Sequence, residues 1–300
     1  MTALPLPIAA LAAASYVVPA LVAPFFRRLM LHPRRHVSAP PALTLRAADQ
    51  RLDLGEGLVA WRWGEGPTVL LAHGFEGSTA QFGAVIDALV ERGYAAVALD
   101  MPAHGASGGD EASPGTFARA VDQALSQLGS VHAVVGHSLG AAASLYAVAQ
   151  RGGVGRIALI SSPSALERVL RGFAGAVRLS RRGADAFVAS VERRVGQPAA
   201  DFDVKRIAPL LSLPILLIHD QNDRQVPVAE AARAAHALPG AELMVTRGLG
   251  HNRLLADPAV VTAIVDFVAG SGDDGKGLDL VAVRDLAAEH RVVEFHLEAM

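Results

Sequence analysis

Short apolar runs recur along the middle of the chain at Thr68 to Ala72, Ala95 to Leu99, Val131 to Val135, Arg156 to Ile160, Pro214 to His219 and Ala241 to Val245. Each is short and mostly apolar, which predicts a strand covered on both faces. Between them the apolar spacing changes. Phe82, Val85, Ile86, Leu89 and Val90 in one interval, and Phe117, Val121, Leu125 and Leu128 in another, fall on one face of a helix. Strand and helix in alternation predict right-handed crossovers and a mostly parallel sheet with helices on both faces. In front, Leu52 to Trp63 reads as two short strands about a glycine-bounded turn, predicting an antiparallel edge.

The alternation runs unbroken from Thr68 to Phe267, so residues 42–269 are expected to form one α/β domain. One interval breaks the rhythm. Between Ile160 and Pro214 lie two amphipathic stretches, Ala165 to Leu179 and Ala184 to Val195, where a crossover needs only one helix. The surplus predicts a small helical lid over about residues 163–212, beside the strand ends where ligands enter open α/β sheets. Beyond it, residues 270–300 read as a Gly- and Asp-rich linker followed by a tail apolar enough for a short helix or strand.

Residues 1–41 form an apolar segment plus a basic, Pro-rich joint. From Thr2 to Phe26 no side chain is charged, and the basic cluster Arg27 to His36 follows. That run reaches the ~20 residues needed to span a bilayer, and the cluster behind it would hold the rest of the chain in the cytoplasm. Residues 2–26 are therefore expected to associate with a membrane as an anchor, or else to pack as an apolar helix on their own domain. Pro5, Pro7, Pro19 and Pro24 and the dominance of weakly apolar alanine stand against the first. A secretory signal fits less well, because its positive charges should come first.

Composition narrows the chemistry. A net charge of -2 supplies no basic field for nucleic acid. The absence of cysteine excludes disulfides, thiolate metal sites and a cysteine nucleophile. Candidate chemistry begins at Gly136-His137-Ser138-Leu139-Gly140, between an apolar strand and an alanine-rich helix, which is the context of a G-x-S-x-G nucleophile turn. A serine needs a base, a group that orients the base, and donors for the developing oxyanion. His251 follows the last strand and suits the base. Asp220 and Asp223 compete for the orienting acid in the loop after the preceding strand. Upstream, His73-Gly74-Phe75-Glu76 ends a strand, so the N–H groups of Phe75 and Leu139 are the candidate oxyanion donors.

Taken in order, HGFEGS (73–78), DMPAHGASGG (100–109), GHSLG (136–140), HDQNDRQVP (219–227) and GLGHNRLL (248–255) resemble the α/β-hydrolase superfamily over roughly residues 60–269. The resemblance implies Ser138 as nucleophile, His251 as base, Asp223 as orienting acid, and Phe75 and Leu139 as oxyanion donors. Serine at 138 argues against the branches that use an aspartate nucleophile. Two positions depart from the pattern: Ala103 stands where many members have glycine, and Glu76 places an acid beside the oxyanion loop.

The implied activity is a serine hydrolase acting on a small-molecule ester or thioester through an acyl-enzyme, with an amidase or peptidase of the same fold, or a non-catalytic binding protein, as alternatives. No cofactor is expected. His73, His104, His137 and His219 stand near strand ends without the spacing of a metal site and read as braces bonded to backbone. His137 and Glu76 are the candidate substrate-binding residues.

Overall fold

The computed structural model describes residues 5–34, 47–238 and 240–270. Helices α1 (Leu6–Ala14) and α2 (Pro19–Leu31) precede strands β1 (Gln50–Asp53), β2 (Val59–Trp63) and β3 (Thr68–Ala72). Then α3 (Gly83–Glu91) leads to β4 (Ala95–Asp100), α4 (Pro114–Leu128) to β5 (Val131–His137), and α5 (Leu139–Arg151) to β6 (Val154–Ile160). Helices α6 (Leu166–Ala176), α7 (Arg181–Val195) and the single turn α8 (Val204–Ile207) come before β7 (Ile215–Asp220). The order closes with α9 (Ala229–Ala237), β8 (Glu242–Thr246) and α10 (Pro258–Ala269).

The strands form one sheet, ordered β1-β2-β4-β3-β5-β6-β7-β8. The pairs β1–β2 and β2–β4 are antiparallel and the rest parallel, which is the doubly covered α/β sheet with an antiparallel edge that the periodicity predicts. Side chains alternate across it. Leu70, Ala72, Val97 and Leu99 face Phe117 and Val121 of α4, and Val69, Leu71, Ala96 and Ala98 face Ile86 and Leu89 of α3 and Ile264 of α10. Because β3 lies between β4 and β5, the chain steps one way from β3 to β4 and the opposite way from β5 through β8. That reversal opens a crevice at the carboxyl ends of β3 and β5.

The amino-terminal run does not form the membrane span allowed by its composition. Among the described residues no helix is long and apolar enough to cross a membrane. The run is broken into helices of 9 and 13 residues. Ser15 turns its hydroxyl back to Ala12 O at 2.6 Å, and Pro19 cannot donate to a continuing helical ladder. The same serine ties the segment to the domain: its Oγ accepts the Ser180 N–H at 2.9 Å, and its carbonyl accepts the Ser180 hydroxyl at 2.7 Å. Ile8, Ala12, Val22, Phe26 and Leu31 enter the main core, while Leu6, Val17 and Leu21 face solvent.

The two amphipathic stretches between β6 and β7 form α6 and α7. Ser164, just before α6, gives its backbone N–H (3.1 Å) and its hydroxyl to the buried Glu230 carboxylate on α9. The Pro-rich joint Ser38–Pro41 and the tail beyond Gly270 lie outside the described residues. Phe26 is fully buried, so Phe26→Ala is expected to cost about 3–5 kcal/mol in urea denaturation; an unchanged midpoint would show that α2 does not pack on the domain.

Candidate active site

The strand β5 ends at His137 and α5 begins at Leu139, leaving Ser138 alone at the turn. Its backbone sits at φ 54°, ψ −123°, a strained conformation for a residue with a side chain. The surrounding glycines show what enforces it. A Cβ on Gly136 would lie 2.5 Å from Ala141 Cα, and one on Gly140 would lie 2.3 Å from both Ala72 O and His73 O. Ser138 occupies the N-cap position of α5 yet its side chain makes no capping bond, so helix capping does not account for it. Leu139 opens the helix, and its N–H has no intrahelical acceptor.

The loop after β3 comes against the same turn. A Cβ on Gly74 would lie 2.8 Å from Ser138 Cβ, which puts Phe75 beside the serine. Two imidazoles hold this loop. His73 Nδ1 donates to Gly74 O at 2.7 Å while its Nε2 accepts the Met101 N–H at 3.1 Å. His104 Nδ1 donates to Pro102 O at 2.9 Å, and its Nε2 accepts the Glu76 N–H, also at 2.9 Å. Glu76 has φ 54° and Ala103 φ 67°. The second value explains the glycine seen in many members at position 103: alanine here must adopt a left-handed backbone.

Asp223 and His251, the candidate acid and base, come from the loops after β7 and β8. His251 Nδ1 donates to Asp223 Oδ2 at 2.7 Å, in a buried pair. The other oxygen of Asp223 accepts the N–H groups of Gln225 (2.8 Å) and Val226 (2.9 Å). Asp220 faces elsewhere. Its Oδ1 takes the N–H groups of Asn222 and Gly250, and its Oδ2 takes the Thr246 hydroxyl and the Leu249 N–H, all within 3.0 Å. Asp220 thus braces the loop that carries His251, and Asp223 is the carboxylate in contact with that histidine.

Burial alone would raise the Asp223 pKa, but the hydrogen bond and charge of His251, with His219 and the Val226 N–H, outweigh it and hold the carboxyl below its usual range. His219 Nε2 lies 3.5 Å from Asp223 Oδ2, but its proton goes to Val226 O at 2.7 Å, and burial lowers its pKa. The contact joins a neutral imidazole to a carboxylate and is not an ion pair. His137 is likewise kept neutral: burial and the neighbouring His251 push its pKa down to about 3. Its Nε2 donates to His251 O at 2.9 Å.

Ser138, His251, Phe75, His137 and Glu76 all line one pocket of about 190 Å³. Glu76 Oε1 also accepts the Arg34 N–H at 3.0 Å. Gln81, Gln225 and Asn252 complete the wall, and the motifs gave no signal for them, since none is a chemical group of the expected reaction. Helices α6 and α7 contribute none of the lining residues. A second hollow of about 230 Å³, beside Glu56 and Arg119, lies apart from these groups; its Ser107 and Thr116 hydroxyls are bonded to Asp100 O and Ser113 O.

Comparison with known proteins identifies the fold and the family. A family model described as the alpha/beta hydrolase fold matches residues 67–198, and one described as TAP-like protein matches residues 188–277. A pimeloyl-[acyl-carrier protein] methyl ester esterase of Xanthomonas campestris pv. campestris is 30% identical over 250 residues, covering 69% of this chain and 96% of that protein. Among solved structures, the esterase Pf2001 of Pyrococcus furiosus superposes with a TM-score of 0.59 at 21% identity, covering 80% of this chain and 99% of that one. The thioesterase domain of the curacin biosynthetic pathway gives 0.56 at 18% identity, covering 75% and 100%.

The neutral histidines set a pH dependence. His73, buried and next to His104, has its pKa pushed down to about 3, like His137. The unfolded chain takes up protons at both positions below about 6.5, so stability falls as pH drops through that value. Each contributes on the order of 2 kcal/mol of loss between pH 7 and pH 5. The lowered pKa of Asp220, Asp223 and Glu230 adds a further loss that sets in below about pH 5. Urea denaturation at pH 7 and pH 5 is expected to differ by about 4 kcal/mol from the two histidines; equal values would mean that they are protonated in the folded protein.

Proposed function

Since the chain belongs to the α/β-hydrolase superfamily, we propose that it is a serine hydrolase that cleaves a carboxylic ester or thioester through an acyl-enzyme. Support comes above all from the buried 2.7 Å bond between Asp223 and His251, opening on a pocket that also holds Ser138. In this mechanism the Ser138 hydroxyl attacks the carbonyl carbon and its proton passes to the free Nε2 of His251. Asp223 keeps the imidazole in the tautomer whose Nε2 can accept, and stabilises the imidazolium that forms.

The oxyanion is held by the N–H groups of Phe75 and Leu139, each worth ~3 kcal/mol in the transition state. His251 then returns the proton to the departing alcohol or thiol. Water attacks the acyl-enzyme by the same route in reverse, which frees the acid and restores Ser138. An ester or thioester is favoured over an amide because its leaving group is more easily expelled. The Xanthomonas relative, named as a methyl ester esterase, belongs to the same reaction class. Residues 42–269 are assigned as the hydrolase domain and 163–212 as its lid.

A fluorophosphonate probe is expected to label the wild-type chain and to fail on Ser138→Ala and His251→Ala. Asp223→Asn should retain the fold and lose roughly 10³–10⁴-fold in kcat on p-nitrophenyl acetate. Labelling that survives Ser138→Ala, or none in a folded wild-type protein, would overturn the assignment.

A further inference from the structure

Among the described residues eight large apolar side chains are exposed, and six of them belong to the amino-terminal helices and the turn between them: Leu6, Tyr16, Val17, Val18, Leu21 and Phe25. Val17 is 82% exposed and Leu21 77%. Tyr16 to Val18 are consecutive, and Leu21 and Phe25, four residues apart, share one face of α2. The group is therefore contiguous, and no charged side chain interrupts it. Single exposed apolar residues need no explanation, but a contiguous group of them marks an interaction surface.

This apolar turn has a basic rim. Ser15, the residue before Tyr16, is bonded twice to Ser180, at 2.9 and 2.7 Å, which sets the turn between α6 and α7 against the turn between α1 and α2. Arg178, Arg181 and Arg182 flank Ser180, and all three are exposed. None of them has an ion-pair partner among the described residues. The first acid along α7, Asp185, is taken by Arg171 at 2.9 Å. Arg181 and Arg182 also occupy the first turn of α7, which holds no acid, and the helix dipole disfavours cations at that end. Helix stability gives no reason for their placement. On α2 the exposed Arg28 follows Phe25 on the same face and extends the rim.

We propose that this surface docks the protein peripherally on an anionic membrane, with Tyr16, Val17, Val18 and Leu21 entering the interfacial layer and Arg28, Arg178, Arg181 and Arg182 meeting the lipid headgroups. The mode is not a span. Helices α1 and α2 stay packed on the domain and lie on the bilayer. Two observations select lipid as the occupant. The apolar side chains crown an exposed turn, and a fluid interface takes up such a turn without needing a matching hollow. The arginines around it add attraction to acidic headgroups, which strengthens binding beyond what the apolar area supplies. Helix α2, ~20 Å long, separates the turn from Arg34, whose N–H reaches Glu76 at the pocket, so the docking residues are distinct from those that line the pocket.

The test is sedimentation of the full-length chain with vesicles of phosphatidylcholine alone and of phosphatidylcholine mixed with phosphatidylserine, at low and high salt. The wild-type chain is expected to bind the anionic vesicles about tenfold or more tightly than the neutral ones, and to lose most of that preference at high salt. Replacing two rim cations, Arg181→Gln with Arg182→Gln, should weaken anionic binding by roughly tenfold or more. Val17→Asp should weaken it comparably, and because these side chains are exposed the urea midpoint should stay at the wild-type value in both variants. Binding to neither vesicle, equal binding to both, or anionic binding unmoved by the substitutions would overturn the proposal. Light scattering checks the other occupant of such a surface: a dimer that Val17→Asp dissociates would place a second copy of the chain on the turn and likewise overturn the assignment to lipid.

Discussion

The close approach of α5 to the end of β3 governs the site. The Gly140 Cα sits where a Cβ would fall 2.3 Å from two backbone carbonyls, so the helix following the Ser138 turn is packed directly against the strand that feeds the His73–Glu76 loop. That approach requires β3 and β5 to be neighbours, which the reversal of strand order supplies. It also leaves Ser138 only a strained backbone, and strain of this sort persists only where surrounding structure over-determines it. Sheet order, glycine placement and serine geometry are therefore one constraint seen at three scales.

Electrostatically the imidazoles of the site fall into two groups. Four imidazoles are committed to backbone: His73, His104, His137 and His219 each donate to a carbonyl. Burial lowers the pKa of His73, His137 and His219, so these rings serve as neutral struts. His251 instead donates to a carboxylate, Asp223, at 2.7 Å. The two aspartates divide similarly. Asp220 spends its oxygens on four donors of the adjoining loops, whereas Asp223 keeps one oxygen for the imidazole.

The sheet was legible in the sequence because each central strand is buried on both faces and appears as an uninterrupted apolar run. Ser138 stood out because it follows such a run, and His251 because it lies in the loop after the last strand. The choice between Asp220 and Asp223 was not: three residues apart in one loop, they differ only in which donors surround them, and backbone donors leave no mark on composition. Hydropathy likewise overstated the amino-terminal run, since a sum over residues does not register that Ser15 and Pro19 cut it in two. Gln81 stayed silent for another reason. It lies in the short 3₁₀ turn Thr79–Phe82, too brief for periodicity to say which way a side chain points.

The bond between Ser15 and Ser180 spans 165 residues of chain. At the usual 5–20 residues per second of synthesis, α1 leaves the ribosome roughly 8–30 s before its anchoring partner exists. Throughout that interval a charge-free apolar segment has no surface of its own domain to cover it, and the parallel strands behind it are themselves slow to pair. The contact that settles the amino terminus on the finished protein thus cannot form on the nascent one until α7 arrives.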